Sequence, residues 1–426
     1  MPAHNFERFK TDFLALSQDV ILIKNTTIVT QNARRQIIKN GAILIEGEKI
    51  ADIGESAPLE KKYAKAKKKI IDGRGKVAMP GLINAHTHAA MVLLRGYADD
   101  MPLKEWLEKK IWPAEVKFKP EDIYRGTKLA CQEMLAGGTT AFNNMYWQPA
   151  EEIRAVANFG LRDFVGLTAL DSGGTNIGPT QIAGEYECLK EKTSKNIKLV
   201  LTPHSIYSVS AKTLRWCRRF ADENDLLLHI HLSETEEEVK NCFKKHHCRP
   251  VEYLEKIGFL GSNVIAAHCC WLSDKEIKIL ARRKVSVAHC PTSNLKLASG
   301  VMPLGKLLKA GVNVALGTDG PASNNSLDMF GEMKLAALIH KWDERNPAAA
   351  GAQTVLDLAT INGAKALKME QKIGSLDIGK QADIVIINFN RSHLKPCHSV
   401  VSNLVYAARG GDVERVFVGG RVLYQN

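Results

Sequence analysis

The chain has 426 residues, of which 45% are hydrophobic, 24% charged and 7% aromatic; this excludes collagen-like, disordered and disulfide-scaffold classes and leaves room for one large α/β barrel with a small companion domain. The net charge is +12, from 58 Lys and Arg against 46 Asp and Glu, but it is dispersed; the densest run, Lys61 to Lys69, has only Tyr63 as an aromatic and reads as a solvated face, not a nucleic-acid site. Nine cysteines without framework spacing point to a reducing cytoplasm, and no apolar run is long enough for a membrane partner.

Residues 1–19 form an N-terminal extension with Phe6, Phe9, Phe13 and Leu16 at near-helical spacing and no secretory signal. Residues 20–77 read as short strands between Gly, Asn and Asp turns, and residues 371–426 repeat that texture, with strands expected at 383–389, 400–406, 413–418 and 422–424. Neither end alone can bury its faces, so the two together are expected to build one small β-sandwich. Between them, residues 78–370 alternate short apolar runs with helix-length periodic stretches. Eight runs stand out, at 77–83, 139–143, 161–167, 197–202, 226–231, 263–268, 284–289 and 312–318. Ile123, Thr127, Ala130 and Met134 share one helical face, and Ser273 with Glu276 forms a capping box. The expected fold class is therefore α/β: a (β/α)8 TIM barrel with a small β-sandwich assembled from both chain ends.

Catalytic groups of such barrels sit at the C-terminal ends of the strands. There the sequence places His86 and His88, His204, His231, His268, His289 and Asp319. His86, His88, His231 and Asp319 supply three imidazoles and a carboxylate, a donor set that suits one divalent ion, Zn²⁺ first and Fe²⁺ second. No lysine ends the fourth run to bridge a second metal. Glu234 lies three residues past His231, and His268 one strand further round. A hydrolytic water needs a group to take its proton and another to protonate the attacked ring; His268 with Asp319 suits the first role and Glu234 the second. Cys242, His246, His247 and Cys248 crowd a segment after the fifth run, read as an exposed helix and not as a second metal site.

The stretches PGLINAHTH (80–88), HIHLSE (229–234), AH (267–268), AHCPTSN (288–294), LGTDG (316–320) and GSLDIGKQAD (374–383) resemble the amidohydrolase superfamily. Leu94-Arg95-Gly96, Glu105-Trp106-Leu107, Trp112-Pro113-Ala114-Glu115 and the 320–326 stretch are similar to its 5'-methylthioadenosine/S-adenosylhomocysteine deaminase branch, neighbour to the triazine chlorohydrolases. The resemblance implies a hydrolytic deaminase of adenosine-type nucleosides, an aminohydrolase releasing ammonia as a metal-activated water attacks C6. In that scheme Glu234 protonates N1, Glu115 binds the ribose hydroxyls, His204 contacts the nucleoside and Trp106 lines the pocket. It also implies a homodimer or homotetramer. One departure stands out: members that handle S-adenosylhomocysteine carry arginines after the third strand, whereas GLTALDSGGTNIGP (166–179) has no Arg or Lys. A carboxylate tail calls for such a partner, so small or apolar 5'-substituents are expected to be preferred. The competing readings are hydrolysis of another heteroaromatic ring (a chlorotriazine, guanine or cytosine) and a non-catalytic ligand-binding barrel. The Pro-Cys-x-x-Cys element of nucleic-acid deaminases is missing.

Overall fold

The computed structural model describes residues 20–171 and 176–426; the extension at 1–19 and part of the 166–179 stretch lie outside the described residues. The N-terminal segment supplies strands β1 (Val20–Val29), β2 (Ile37–Glu46), β3 (Lys49–Glu55), β4 (Lys69–Asp72) and β5 (Lys76–Pro80). The barrel follows as β6 (Leu82–Thr87), β7 (Thr139–Asn144), β8 (Arg162–Ala169), β9 (Ile197–Pro203), β10 (Leu227–Leu232), β11 (Val264–His268), β12 (Ser286–His289) and β13 (Asn313–Leu316). The chain ends with β14 (Ile384–Asn388), β15 (Val413–Val418) and β16 (Arg421–Gln425).

The two chain ends do share one sheet, in the order β16-β15-β14-β5-β1-β2-β3 with β4 beside β1. Its junction is the antiparallel pairing of β5 with β14, where Pro80 faces Ile384. Alternating isoleucines put Ile23, Ile43, Ile45, Ile384 and Ile386, with Phe417, into one buried cluster, which neither end could assemble alone.

Strands β6 to β13 are consecutive parallel neighbours. The seam between β13 and β6 is drawn together where the Asp319 N–H donates to the His86 carbonyl at 3.0 Å. Gly317 permits that approach, since a Cβ there would lie 2.9 Å from the His86 backbone. Seven of the eight expected runs coincide with barrel strands. The run at 77–83 does not: Lys76–Pro80 belongs to the terminal sheet, the chain turns at Gly81, and the barrel begins at Leu82 instead of 78. A Cβ on Gly81 would fall 2.0 Å from Thr140 Oγ1, so the turn is pressed against the base of β7. Both halves of that run are buried, and a continuous apolar stretch carries no mark of where it passes from one sheet to the next. A second correction concerns 400–406, which is a helix, Val400–Tyr406, not a strand. Its buried residues Val401, Leu404 and Val405 follow the i, i+3, i+4 spacing, and Ser399 caps it by accepting from the Ser402 N–H.

Arg162, at the start of β8, ties the two domains together. Its Nε donates to Asp383 Oδ2 at 2.6 Å and its guanidinium reaches Oδ1 at 2.9 Å, with both side chains almost wholly buried.

Candidate metal centre and active site

The ligand atoms of His86, His88, His231 and Asp319 all lie within 4.8 Å of one another at the C-terminal mouth of the barrel. His86 stands within β6 itself, and His88 just beyond it. The Nδ1–H of His88 donates to the Met145 carbonyl at 2.6 Å, and that of His231 to the His204 carbonyl at 2.8 Å. A carbonyl can only accept, so both rings carry hydrogen on Nδ1 and turn Nε2 toward the site. Those two Nε2 atoms are 3.2 Å apart. Facing lone pairs at that distance repel, so the pair is built to share a cation. The field of the site agrees: burial opposes charge on His88, yet Asp319 overrides it and raises the His88 pKa. His86 Nε2, fully buried, has no hydrogen-bond partner and lies 3.3 Å from Asp319 Oδ1. These donors fit a divalent metal ion.

Asp319 sits just past β13 in the left-handed backbone region, φ 60°, strain that concentrates at functional strand ends. Ser293 and Ser323 donate to its Oδ2 at 2.5 and 2.9 Å, and the Gly320 N–H to its Oδ1 at 2.8 Å. Burial alone would raise its pKa, but the His86 and His88 rings, each with Nε2 3.3 Å from Oδ1, outweigh that and hold the carboxyl well below its ordinary range. Burial also keeps His86, at about 4, and His204, at about 3, in the neutral form.

Glu234 has the opposite electrostatics. Burial, with the negative charge of Asp319 added, pushes its pKa up to about 8, so it holds a proton at neutral pH. Its Oε2 is 3.7 Å from His268 Nε2, and the Ser299 hydroxyl donates to Oε1 at 3.3 Å. The loop that carries it is clamped by Glu238, whose two oxygens accept the successive backbone N–H groups of Ser233 and Glu234 at 2.9 and 2.8 Å. His268 is held through Nδ1 by the Asn294 amide at 2.9 Å, again at positive φ, 72°.

Glu115, at the end of the short helix Trp112–Glu115, is buried and accepts from the Tyr146 hydroxyl at 2.6 Å. Burial raises its pKa to about 7. His204 has Nδ1 2.7 Å from Ser208 Oγ, and the Trp106 ring N–H donates to the Ala98 carbonyl at 2.9 Å. His88, His231, Asp319, Glu234, His268, Glu115, His204 and Trp106 all line one cleft, together with apolar walls from Leu107, Trp112, Met145 and Leu297. His86 lies just beneath it. Sequence reading missed Tyr146, although it follows the end of β7 and so obeys the strand-end rule. It missed Glu238 as well, which looks like one more acid in a charged helix.

No Arg or Lys lines the cleft among the described residues, and the guanidinium of Arg162 is committed to Asp383. The Cys242, His246, His247 and Cys248 crowd does not form a ligand group. Among the described residues only the His/Asp cluster brings its donors together. Cys242 is buried, not exposed, and the His246 ring stacks on Tyr253 at 4.1 Å. All nine cysteines are unpaired, and no helix among the described residues is long and apolar enough to cross a membrane.

The amidohydrolase family model matches residues 77–423. The chain is 47% identical over 406 residues to a 5-methylthioadenosine/S-adenosylhomocysteine deaminase of Thermococcus sibiricus, covering 95% of this chain and 93% of that one. It is 45% identical over 409 residues to a 5'-deoxyadenosine deaminase of Methanosarcina acetivorans, with the same coverage of 95% and 93%. Among solved structures, an adenosine deaminase from Xanthomonas campestris with bound zinc superposes with a TM-score of 0.91 at 36% identity, covering 96% of this chain and 93% of the other.

Proposed function

Because the chain belongs to the amidohydrolase family, we propose that its barrel mouth is the active centre of a metal-dependent hydrolytic deaminase of adenosine-type nucleosides, acting in the cytoplasm. One observation carries this reading: two buried carboxyls, Glu234 and Glu115, face the same cleft as the His/Asp ligand group. His86, His88, His231 and Asp319 would hold one divalent ion, Zn²⁺ in preference to Fe²⁺. Such an ion supplies Lewis acidity, which lowers the pKa of a water toward neutrality.

The protein's own groups account for the remaining proton movements. Deamination at C6 of a purine forms a C–O bond and breaks the C–N bond to the amino group, with ammonia as the product. N1 must gain a proton as the ring is attacked, and Glu234 holds one at neutral pH. His268 and ionised Asp319 accept the two protons of the water, returning one to the departing amine and the other to Glu234, whose Oε2 is 3.7 Å from His268 Nε2. Glu115, braced by Tyr146, is the acceptor for ribose hydroxyls. His204 contacts the nucleoside, and Trp106 closes the apolar side.

Chelation followed by metal restoration tests the proposal. Ammonia release from 5'-methylthioadenosine should disappear on metal removal and return with one equivalent of Zn²⁺ per chain. Undiminished release from metal-free protein would overturn it.

A further inference from the structure

Two of the three ligand imidazoles are held at Nδ1 by backbone carbonyls; His86 is not. Its Nδ1 lies 2.7 Å from Nε2 of His229, whose own Nδ1 lies 2.7 Å from the side-chain amide nitrogen of Asn143. All three side chains are fully buried inside the barrel, where an added charge would be costly. A carbonyl leaves His88 and His231 one tautomer each. An imidazole can either donate or accept, so His86 has two, and the choice is passed to it through His229 from Asn143.

In the arrangement present, Asn143 Nδ2 faces His229 and also donates to the Ala85 carbonyl at 3.1 Å. Hydrogen bonds then run from Asn143 to His229 to His86. His86 accepts at Nδ1 and keeps its hydrogen on Nε2, 3.3 Å from Asp319 Oδ1, where it cannot ligate. In the reverse run His86 donates Nδ1–H to His229, and His229 donates Nδ1–H to the carboxamide oxygen of Asn143, which gives up the bond to the Ala85 carbonyl. That oxygen is buried and has no partner in the arrangement present. Each ring keeps one hydrogen in both runs, so no charge is created; only the second leaves His86 Nε2 bare.

We propose that His229 and Asn143 are positioning residues that switch His86 between a closed and a ligating tautomer, the Asn143 amide turning over as a divalent cation is taken up. The inference rests on reading His86, His88, His231 and Asp319 as the metal group.

Long-range proton–nitrogen NMR of the wild-type protein with ¹⁵N-labelled imidazoles, metal-free and then titrated with Zn²⁺, tests it directly. The His229 hydrogen should move from Nε2 to Nδ1 as one equivalent of zinc binds. If zinc binds while that hydrogen stays on the same nitrogen, the switch is wrong and the metal site stands. If zinc does not bind, both fall. Zinc affinities from chelator competition give a second test. His229→Phe should weaken binding by about 10–100-fold, and His229→Gln, whose amide oxygen can accept from His86, should recover most of the loss. Wild-type affinity in His229→Phe would overturn the role assigned to His229.

Discussion

Glu234 and Asp319 are both buried carboxyls in one cleft, yet they are pushed in opposite directions. Asp319 accepts from two serine hydroxyls and a backbone N–H and lies 3.3 Å from two imidazole Nε2 atoms, and so remains ionised. Glu234 has one weak donor, Ser299, and burial dominates, at about 8. Pairs of acids driven apart in this way divide proton-donor and proton-acceptor roles. Glu234→Gln keeps the shape and removes the transferable proton, so kcat for a nucleoside should fall by about 10²–10⁴-fold while zinc content and unfolding temperature stay as in the wild type. A variant within a few-fold of the wild-type rate would remove Glu234 from the chemistry. These residues were readable from the chain because each stands at a strand end or within one turn of it. Glu238 was not, because it clamps the Glu234 loop through two successive backbone N–H groups, which leave no local pattern; Tyr146 does follow the end of β7, but its bond to Glu115 joins residues 31 apart in the chain.

Two elements carry tests of their own. The first is β8 with the segment after it, where 166–179 has no Arg or Lys and Arg162 is spent on Asp383. The kcat/KM for 5'-methylthioadenosine should therefore exceed that for S-adenosylhomocysteine; the reverse order would show that another cation reaches the carboxylate. The second is the contact of β8 with the helix Pro149–Ala157, where Glu152 and Asp163 are both fully buried and burial raises both pKa values. Raised acids stabilise the fold fully below their unfolded pKa of about 4, and that contribution is lost as pH rises through the folded values. The unfolding temperature should fall as pH rises from about 4 through about 7, the value to which burial raises Glu152, and Glu152→Gln should flatten the fall; an unchanged slope in that variant would assign the dependence elsewhere. Element reading from sequence succeeded where periodicity and turns coincide, as in the seven barrel strands. It failed at 77–83, where two buried strands abut, and at 400–406, where β-branched residues obscured an i, i+3, i+4 helix.

At the scale of the whole molecule, the length is used by one barrel and one terminal sheet clasped by the β5–β14 pairing and the Arg162–Asp383 pair. The charge of +12 has no part in the site, whose described lining contains no Arg or Lys. In the proposed function, the molecule presents to substrate a metal-ligating floor, one acid, and Glu115 as the acceptor for a sugar. The most direct measurement is ammonia release by the intact protein from a panel of 5'-methylthioadenosine, 5'-deoxyadenosine, adenosine, guanine, cytosine and a chlorotriazine, with metal content determined on the same sample. The account predicts one divalent ion per chain and turnover of the adenosine nucleosides far above the free bases. Preferential turnover of guanine, cytosine or the chlorotriazine, or nucleoside turnover without metal, would contradict it.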